Sequence, residues 1–176
     1  MLANVQAAVN LSDADSYEGL KQAIEGRIQA LANVHSLFVE TRWIGAELSR
    51  IATHELAPYS QKDKTRVCLD GPQVLLEPNV AQSIAMILHE LATNAAKYGA
   101  LSAANGQIDL KWSYEPNGQL HLCWMESGGP LVQEPKRKGF GGRIIERLIA
   151  QLKGETRLDW RADGLACEIT LQTLAG

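Results

Sequence analysis

No stretch of about 18 apolar residues occurs in this chain, so no segment of it reads as a membrane-spanning helix. Residues 1–6 lack the basic region and long apolar stretch of a secretory signal, and the cytoplasm is the expected location. Cysteine is scarce. Cys68, Cys123 and Cys167 are odd in number, widely spaced and each set in an apolar run, which predicts buried reduced thiols rather than a disulfide framework. The histidines form no His-Glu-x-x-His pair and the cysteines no Cys-x-x-Cys pair, so zinc of the structural or catalytic kind is not expected. Neither sign of charge dominates. With 17 Lys and Arg against 20 Asp and Glu, the net charge of −3 offers no general attraction to nucleic acid or to an anionic membrane.

What is present describes a soluble globular chain. Its 176 residues, 45% hydrophobic and 21% charged, suffice for one proper core. The first 60 residues read as helical, with no strong strand signal. A short helix over residues 1–9 ends in the turn and cap cluster of residues 10–16. Leu20, Ile24, Ile28, Leu31, Val34 (or His35) and Phe38 recur at three- and four-residue steps, predicting a helix over 17–40. A third helix over 44–56 should stop at Ala57-Pro58, because proline clashes with a continuing helix.

After Ser60 the pattern changes. Short strands are predicted at 66–69 and 74–76 and a helix at 79–98. A hairpin follows at 107–114 and 119–125 across Glu-Pro-Asn-Gly, then a helix at 141–152 and a closing hairpin at 155–161 and 165–173. Helices interleaved with mostly antiparallel strands imply an α+β chain built as an α/β sandwich, with helices over one sheet face. His-Glu-Leu-Ala occurs twice, at 54–57 and 89–92. The first copy runs into Pro58 and has no asparagine or lysine a turn later, so it reads as coincidence.

The most informative segment is 89–99. At about 100° per residue, Glu90, Asn94, Lys97 and Tyr98 share one helix face beside the apolar stripe of Ile84, Leu88, Leu91 and Ala95. Carboxylate and amide oxygens suit Mg²⁺ or a water, and an ammonium suits phosphate. The same residues would also fit a solvated face with ordinary i,i+4 pairs. Two further segments follow. Trp124-Met125-Glu126-Ser127-Gly128-Gly129-Pro130 ends a strand with a carboxylate, which can accept from an exocyclic amine, and then with glycines that admit a flat ring. Lys136-Arg137-Lys138-Gly139-Phe140-Gly141-Gly142 opens a helix, where amide N–H groups and the positive dipole end favour phosphate. No Walker-type Gly-Lys-Ser/Thr is present.

In this order, the three segments resemble the nucleotide-binding domain of sensor histidine kinases of the GHKL ATPase superfamily. His89, Trp124 and Glu126 match the histidine and Trp-x-Glu that name the HWE subgroup. The stretch His-Glu-Leu-x-Thr-Asn-Ala-x-Lys-Tyr-Gly-Ala-Leu-Ser, with Glu-Ser-Gly-Gly-Pro and Gly-Phe-Gly, carries the likeness, which covers essentially the whole chain. It implies a helical dimerisation and phosphotransfer region at 1–60 and an ATP-binding catalytic domain at 61–176.

By the same resemblance Glu90 would orient or deprotonate the nucleophile, or order a metal-bound water, and Asn94 would ligate Mg²⁺. Lys97 would steady phosphate oxygens, with Tyr98 near the nucleotide. Glu126 would contact adenine, with Gly128 and Gly129 making room. Lys138, Gly139, Phe140, Gly141 and Gly142 would form the phosphate loop beneath a short lid at 131–138. His89, a further 100° round the helix, would serve structurally by bonding a neighbouring element. Gly142 stands where a hydroxyl residue is frequent in the family.

The implied cofactors are ATP and Mg²⁺. The implied partners are a response-regulator receiver domain and a second copy paired through the N-terminal helices. Residues 1–6 resemble the continuation just after the phosphorylated histidine, which the resemblance therefore places upstream of Met1. The chain as given is expected to bind ATP and to phosphorylate itself poorly. His35 reads as a core or interface residue, and His54 as a partly exposed cap. The alternatives are a GHKL ATPase or serine kinase, and a non-catalytic scaffold.

Overall fold

The computed structural model describes residues 16–60, 66–131 and 140–172. The helix expected at 1–9, most of the lid, Lys138 and Gly139 lie outside the described residues. Helix α1 (Tyr17–Glu40) starts where Ser16 Oγ accepts the Gly19 N–H at 3.1 Å, a side-chain cap for an otherwise orphaned donor. Its buried face is Arg27, Ala30, Leu31, Val34, Leu37 and Phe38. Ile28, expected on that face, is instead 45% exposed. Counting only apolar residues missed that a charged residue, Arg27, takes a core position and sets the rotation of the helix.

The chain then departs from a simple third helix. Arg42 and Trp43 adopt positive φ (54° and 66°), which an α-helix cannot contain. Strand β1 (Ala46–Glu47) follows, and α2 (Leu48–Ser60) begins four residues later than the pattern of apolar residues suggested. Pro58 lies inside α2 rather than ending it. The carbonyl that proline leaves unbonded belongs to His54, four residues back. Both residues are exposed, so water can satisfy it. His54 is accordingly a mid-helix surface residue and not a cap.

Strand β2 (Val67–Asp70) runs parallel to β4 (Gln107–Tyr114), and β3 (Leu75–Leu76) pairs with β1. Helix α3 (Pro78–Lys97) begins with proline at its first turn, where the missing N–H is no loss. A 3₁₀ turn at Ala100–Ser102 leads to β4. That strand forms a hairpin with β5 (Gln119–Ser127), in register from Gln107↔Ser127 to Tyr114↔Leu120. After α4 (Phe140–Gln151), strands β6 (Glu155–Arg161) and β7 (Gly164–Gln172) close a second hairpin.

The five-stranded sheet has the order β2-β4-β5-β7-β6, antiparallel except at β2–β4. Burial along β5 alternates strictly: Leu120, Leu122, Trp124 and Glu126 face the helices and their neighbours face outward. The stripe Ile84, Leu88, Leu91 and Ala95 of α3 is buried against that face, as its spacing required. One continuous core joins α1, α2, α3, α4 and the sheet. Cys167 lies within it, its thiol pushed up to about 11 chiefly by burial. Cys123 is half-buried and Cys68 exposed on strand β2, so the expected burial of all three holds for Cys167 alone, although all three are free. Among the described residues no helix is long and apolar enough to cross a membrane.

Candidate functional site

Along the last two turns of α3 the predicted face runs from the core to the surface. Glu90 is buried, Asn94 half-buried, Lys97 exposed and Tyr98, the residue ending the helix, 74% exposed. At the buried end, Arg27 of α1 donates from Nε to Glu90 Oε1 at 2.6 Å and from Nη2 to Oε2 at 3.1 Å. The first turn of α4 arrives at the same place. A Cβ on Gly141 would stand 2.7 Å from Glu90 Oε2 and 3.2 Å from Asn94 Nδ2, so only glycine permits the approach. Gly142 points into open space. Phe140 opens α4, and only its backbone is described.

The second centre is Glu126, a carboxylate at a core-phase position of β5. Its Oε2 accepts the Ala100 N–H at 2.8 Å and its Oε1 accepts from Trp124 Nε1 at 3.2 Å. Burial raises its pKa, while these two hydrogen bonds pull the other way. The loop after α3 is built around this group, with Gly99 so close that a Cβ there would collide with Glu126 Oε2. Gly128 takes φ +68° beside the Asn105 carbonyl, and Gly129 backs onto the Ala100 backbone.

Two residues that the sequence reading did not single out organise these centres. Arg27 pairs with Glu90. Arg66 gathers the loop after α3, donating to the carbonyls of Gly106 (3.0 Å), Leu101 (3.2 Å) and Ala103 (2.6 Å). A charged residue in the buried phase of α1 was the available signal for Arg27; Arg66 had none. His89 fills the structural role expected of it, with Nδ1 3.2 Å from Glu55 Oε2 on α2. The two His-Glu-Leu-Ala copies thus meet, glutamate of the first against histidine of the second, without forming a repeat. His35 packs edge-on to Phe38 and Trp43 and lies 3.3 Å from Gln82 Nε2, consistent with a core position.

The structure therefore brings Glu90, Asn94 and Gly141 together, and separately gathers Glu126, Gly128 and Gly129 under the loop that continues from Lys97 and Tyr98. Both centres adjoin the C-terminal half of α3. A surface cleft of about 390 Å³ lies elsewhere, lined mainly from the outward face of the sheet by residues such as Lys111, His121, Cys123 and Glu168. We assign no nucleotide to it, because it contains none of the convergent oxygen donors and helix N-terminus found at Glu90.

Comparison with known proteins points the same way. Residues 1–73 match the family model described as HWE histidine kinase. The chain is 34% identical over 173 residues to a blue-light-activated histidine kinase of Rhizobium johnstonii, covering 97% of this chain and 49% of that protein. A blue-light-activated histidine kinase of Brucella ovis is 33% identical over 174 residues, with 96% and 36% covered. The chain spans less than half the length of either relative. The solved Erythrobacter litoralis EL346 blue-light activated histidine kinase aligns at a TM-score of 0.74 over 97% of this chain and 58% of that one. At 22% identity this likeness establishes the fold alone, helices packed on a mixed sheet. Motif, fold and relatives agree: the chain belongs to the HWE histidine kinase family.

Proposed function

We propose that this chain is the Mg·ATP-binding part, with part of the helical dimerisation and phosphotransfer region, of a sensor histidine kinase in a two-component system. The supporting observation is the meeting of Glu90, Asn94 and Gly141, where oxygen donors of one helix face the N-terminal turn of another. A helix N-terminus favours phosphate, and hard oxygens favour Mg²⁺. Asn94 Oδ1 suits direct ligation and the Glu90 carboxylate suits a water of the ion; when bound, Mg²⁺ offsets charge on the transferring phosphoryl group.

The chain's own residues do the rest. Glu90 orients the attacking histidine nitrogen and takes its proton. Lys97, exposed at the rim, steadies phosphate oxygens, with Tyr98 beside the nucleotide. Gly141 and Gly142, with Lys138, Gly139 and Phe140, offer backbone to the phosphates. Glu126, held in place by Ala100 and Trp124, accepts from the adenine amine, and Gly128 and Gly129 leave space for the ring. Such catalysis is mostly positioning and electrostatics.

In this reading residues 1–60 serve dimerisation and phosphotransfer and 61–176 bind nucleotide. The exposed apolar Ile28 on α1 supports pairing with a second copy. The phosphohistidine passes its phosphoryl group to a receiver-domain aspartate in the cytoplasm. Calorimetric titration tests the core of the proposal. Asn94→Ala should abolish most Mg²⁺-dependent ATP affinity with the fold intact, and unchanged curves would remove the site. Glu126→Ala should weaken ATP more than pyrophosphate; equal losses would remove the adenine assignment. Acid-labile phosphate on the full-length protein would separate a histidine kinase from a serine kinase.

A further inference from the structure

The Arg27–Glu90 pair joins two helices 63 residues apart in sequence, with Arg27 4% and Glu90 5% exposed. Buried ion pairs add little net stability, because desolvation of two charges offsets their attraction, and apolar side chains of similar volume serve a core as well or better. A reason other than stability is therefore needed for a guanidinium in the core phase of α1. Its geometry supplies one. A planar guanidinium that meets a carboxylate through two N–H bonds fixes the plane of that carboxylate as well as its place. The carboxylate so fixed is the one against which Gly141 of α4 is packed.

The surrounding contacts hold α1 at the distance this grip requires. A Cβ on Gly26 would lie 2.7 Å from His89 Nε2, so the residue before Arg27 must be small for α1 to come this near α3. His89 is in turn bonded to Glu55 of α2. Consecutive residues of α3, His89 and Glu90, are thus gripped by two different helices of the N-terminal region.

We infer that Arg27 is a positioning residue for phosphoryl transfer: it aims the Glu90 carboxylate at the reacting groups from α1, outside the segment that binds the nucleotide. This rests on the role proposed for Glu90. A displacement of α1 along α3 then reaches the transfer site through the Arg27–Glu90 pair, which lies apart from the adenine centre at Glu126.

The test is a rate cycle in the full-length protein with γ-labelled ATP, using Arg27→Lys, Glu90→Gln and the double variant, with thermal unfolding to confirm that each folds. Lysine keeps the charge and loses the two-pronged grip. Arg27→Lys should lower kcat on the order of 10- to 100-fold, as a misplaced catalytic group does. KM for ATP should stay within about twofold, since only a transition-state interaction is lost. The double variant should be no slower than Glu90→Gln, because Arg27 acts through Glu90. A kcat unchanged by Arg27→Lys, a loss confined to KM, or losses that multiply in the double variant would overturn the inference. Should Arg27→Lys not fold, Arg27→Gln combined with Glu90→Gln replaces the ion pair by an amide pair. That variant is expected to match Glu90→Gln alone, and a further loss again overturns the inference. If Glu90→Gln retains the full rate, the role of Glu90 itself fails, an outcome distinct from all of these.

Discussion

Glu90 and Glu126 are hidden from solvent to nearly the same degree, 5% and 6% exposed, yet the molecule meets their charge in different ways. Glu90 sits on α3 and is answered by a full positive charge brought from another helix. Glu126 sits on β5 and is answered only by neutral donors, one backbone N–H and one indole N–H. The first arrangement ties a carboxylate rigidly to the helical region. The second leaves a carboxylate whose negative charge is incompletely compensated, so it gains from any further donor that enters. A fixed group suits orientation of a reacting atom, and an under-supplied acceptor suits recognition of an amine. Equal burial therefore does not mean equal chemistry; the partner decides.

That contrast can be broken from the Glu90 side first. Arg27→Met leaves a buried carboxylate without its cation and should cost about 3–5 kcal/mol, read from urea unfolding. A cost below about 1 kcal/mol would mean that Glu90 finds solvent or another cation, and that the two carboxylates are held alike.

On the other side, Trp124→Phe keeps an aromatic in the core and removes one donor from Glu126. It should cost about 1.5–3 kcal/mol, the worth of a hydrogen bond to a charged group. Next in size is a pair of neighbours on α4. Gly141→Ala should destabilise by about 1–3 kcal/mol, because the new methyl meets Glu90 Oε2 and Asn94. Gly142→Ala meets nothing and should stabilise by up to about 1 kcal/mol through helix propensity. Opposite signs one residue apart would locate Glu90 against α4, and matching signs would dislodge it.

The smallest effect is one of pH. Burial lifts the Glu126 carboxyl above its ordinary 4.5, so just above that value the folded chain holds a proton that the unfolded chain has released. Stability from this group therefore grows as pH falls through the folded value toward 4.5, and declines as pH rises through it. Unfolding midpoints from pH 7 down to pH 5 should show the parent chain gaining on Glu126→Gln. Parallel lines would show that Glu126 titrates as an ordinary exposed carboxylate.

Much of this was legible in the residues. The α1 span and the strands 107–114 and 155–161 coincide with their predicted limits, because period 3.6 or period 2 burial and clear turn residues leave little choice. Less legible were places where contact overrides local preference. The 44–47 segment reads as the start of a helix by composition, yet β1 gains its bonds from β3, some 30 residues on (Ala46↔Leu76). Pro58 reads as a helix stop and continues because its orphaned carbonyl is at the surface. Cys68 reads as buried and lies on the outward face of an edge strand. Within the site, Glu90, Asn94 and the glycines were visible as a pattern, whereas Arg27 showed only as a charge in the buried phase of α1 and Arg66 not at all, since their partners lie 63 and about 40 residues away.

By itself, then, the order of residues determined the helix and strand periods, the oxygen-bearing face of α3 and the glycine-led start of α4, because each depends on neighbours within a turn or a pleat. Tertiary structure alone decided which carboxylate meets a cation and which meets neutral dipoles. Those pairings form only when helices distant along the chain pack, and inside a core the nearest charge outweighs every local preference.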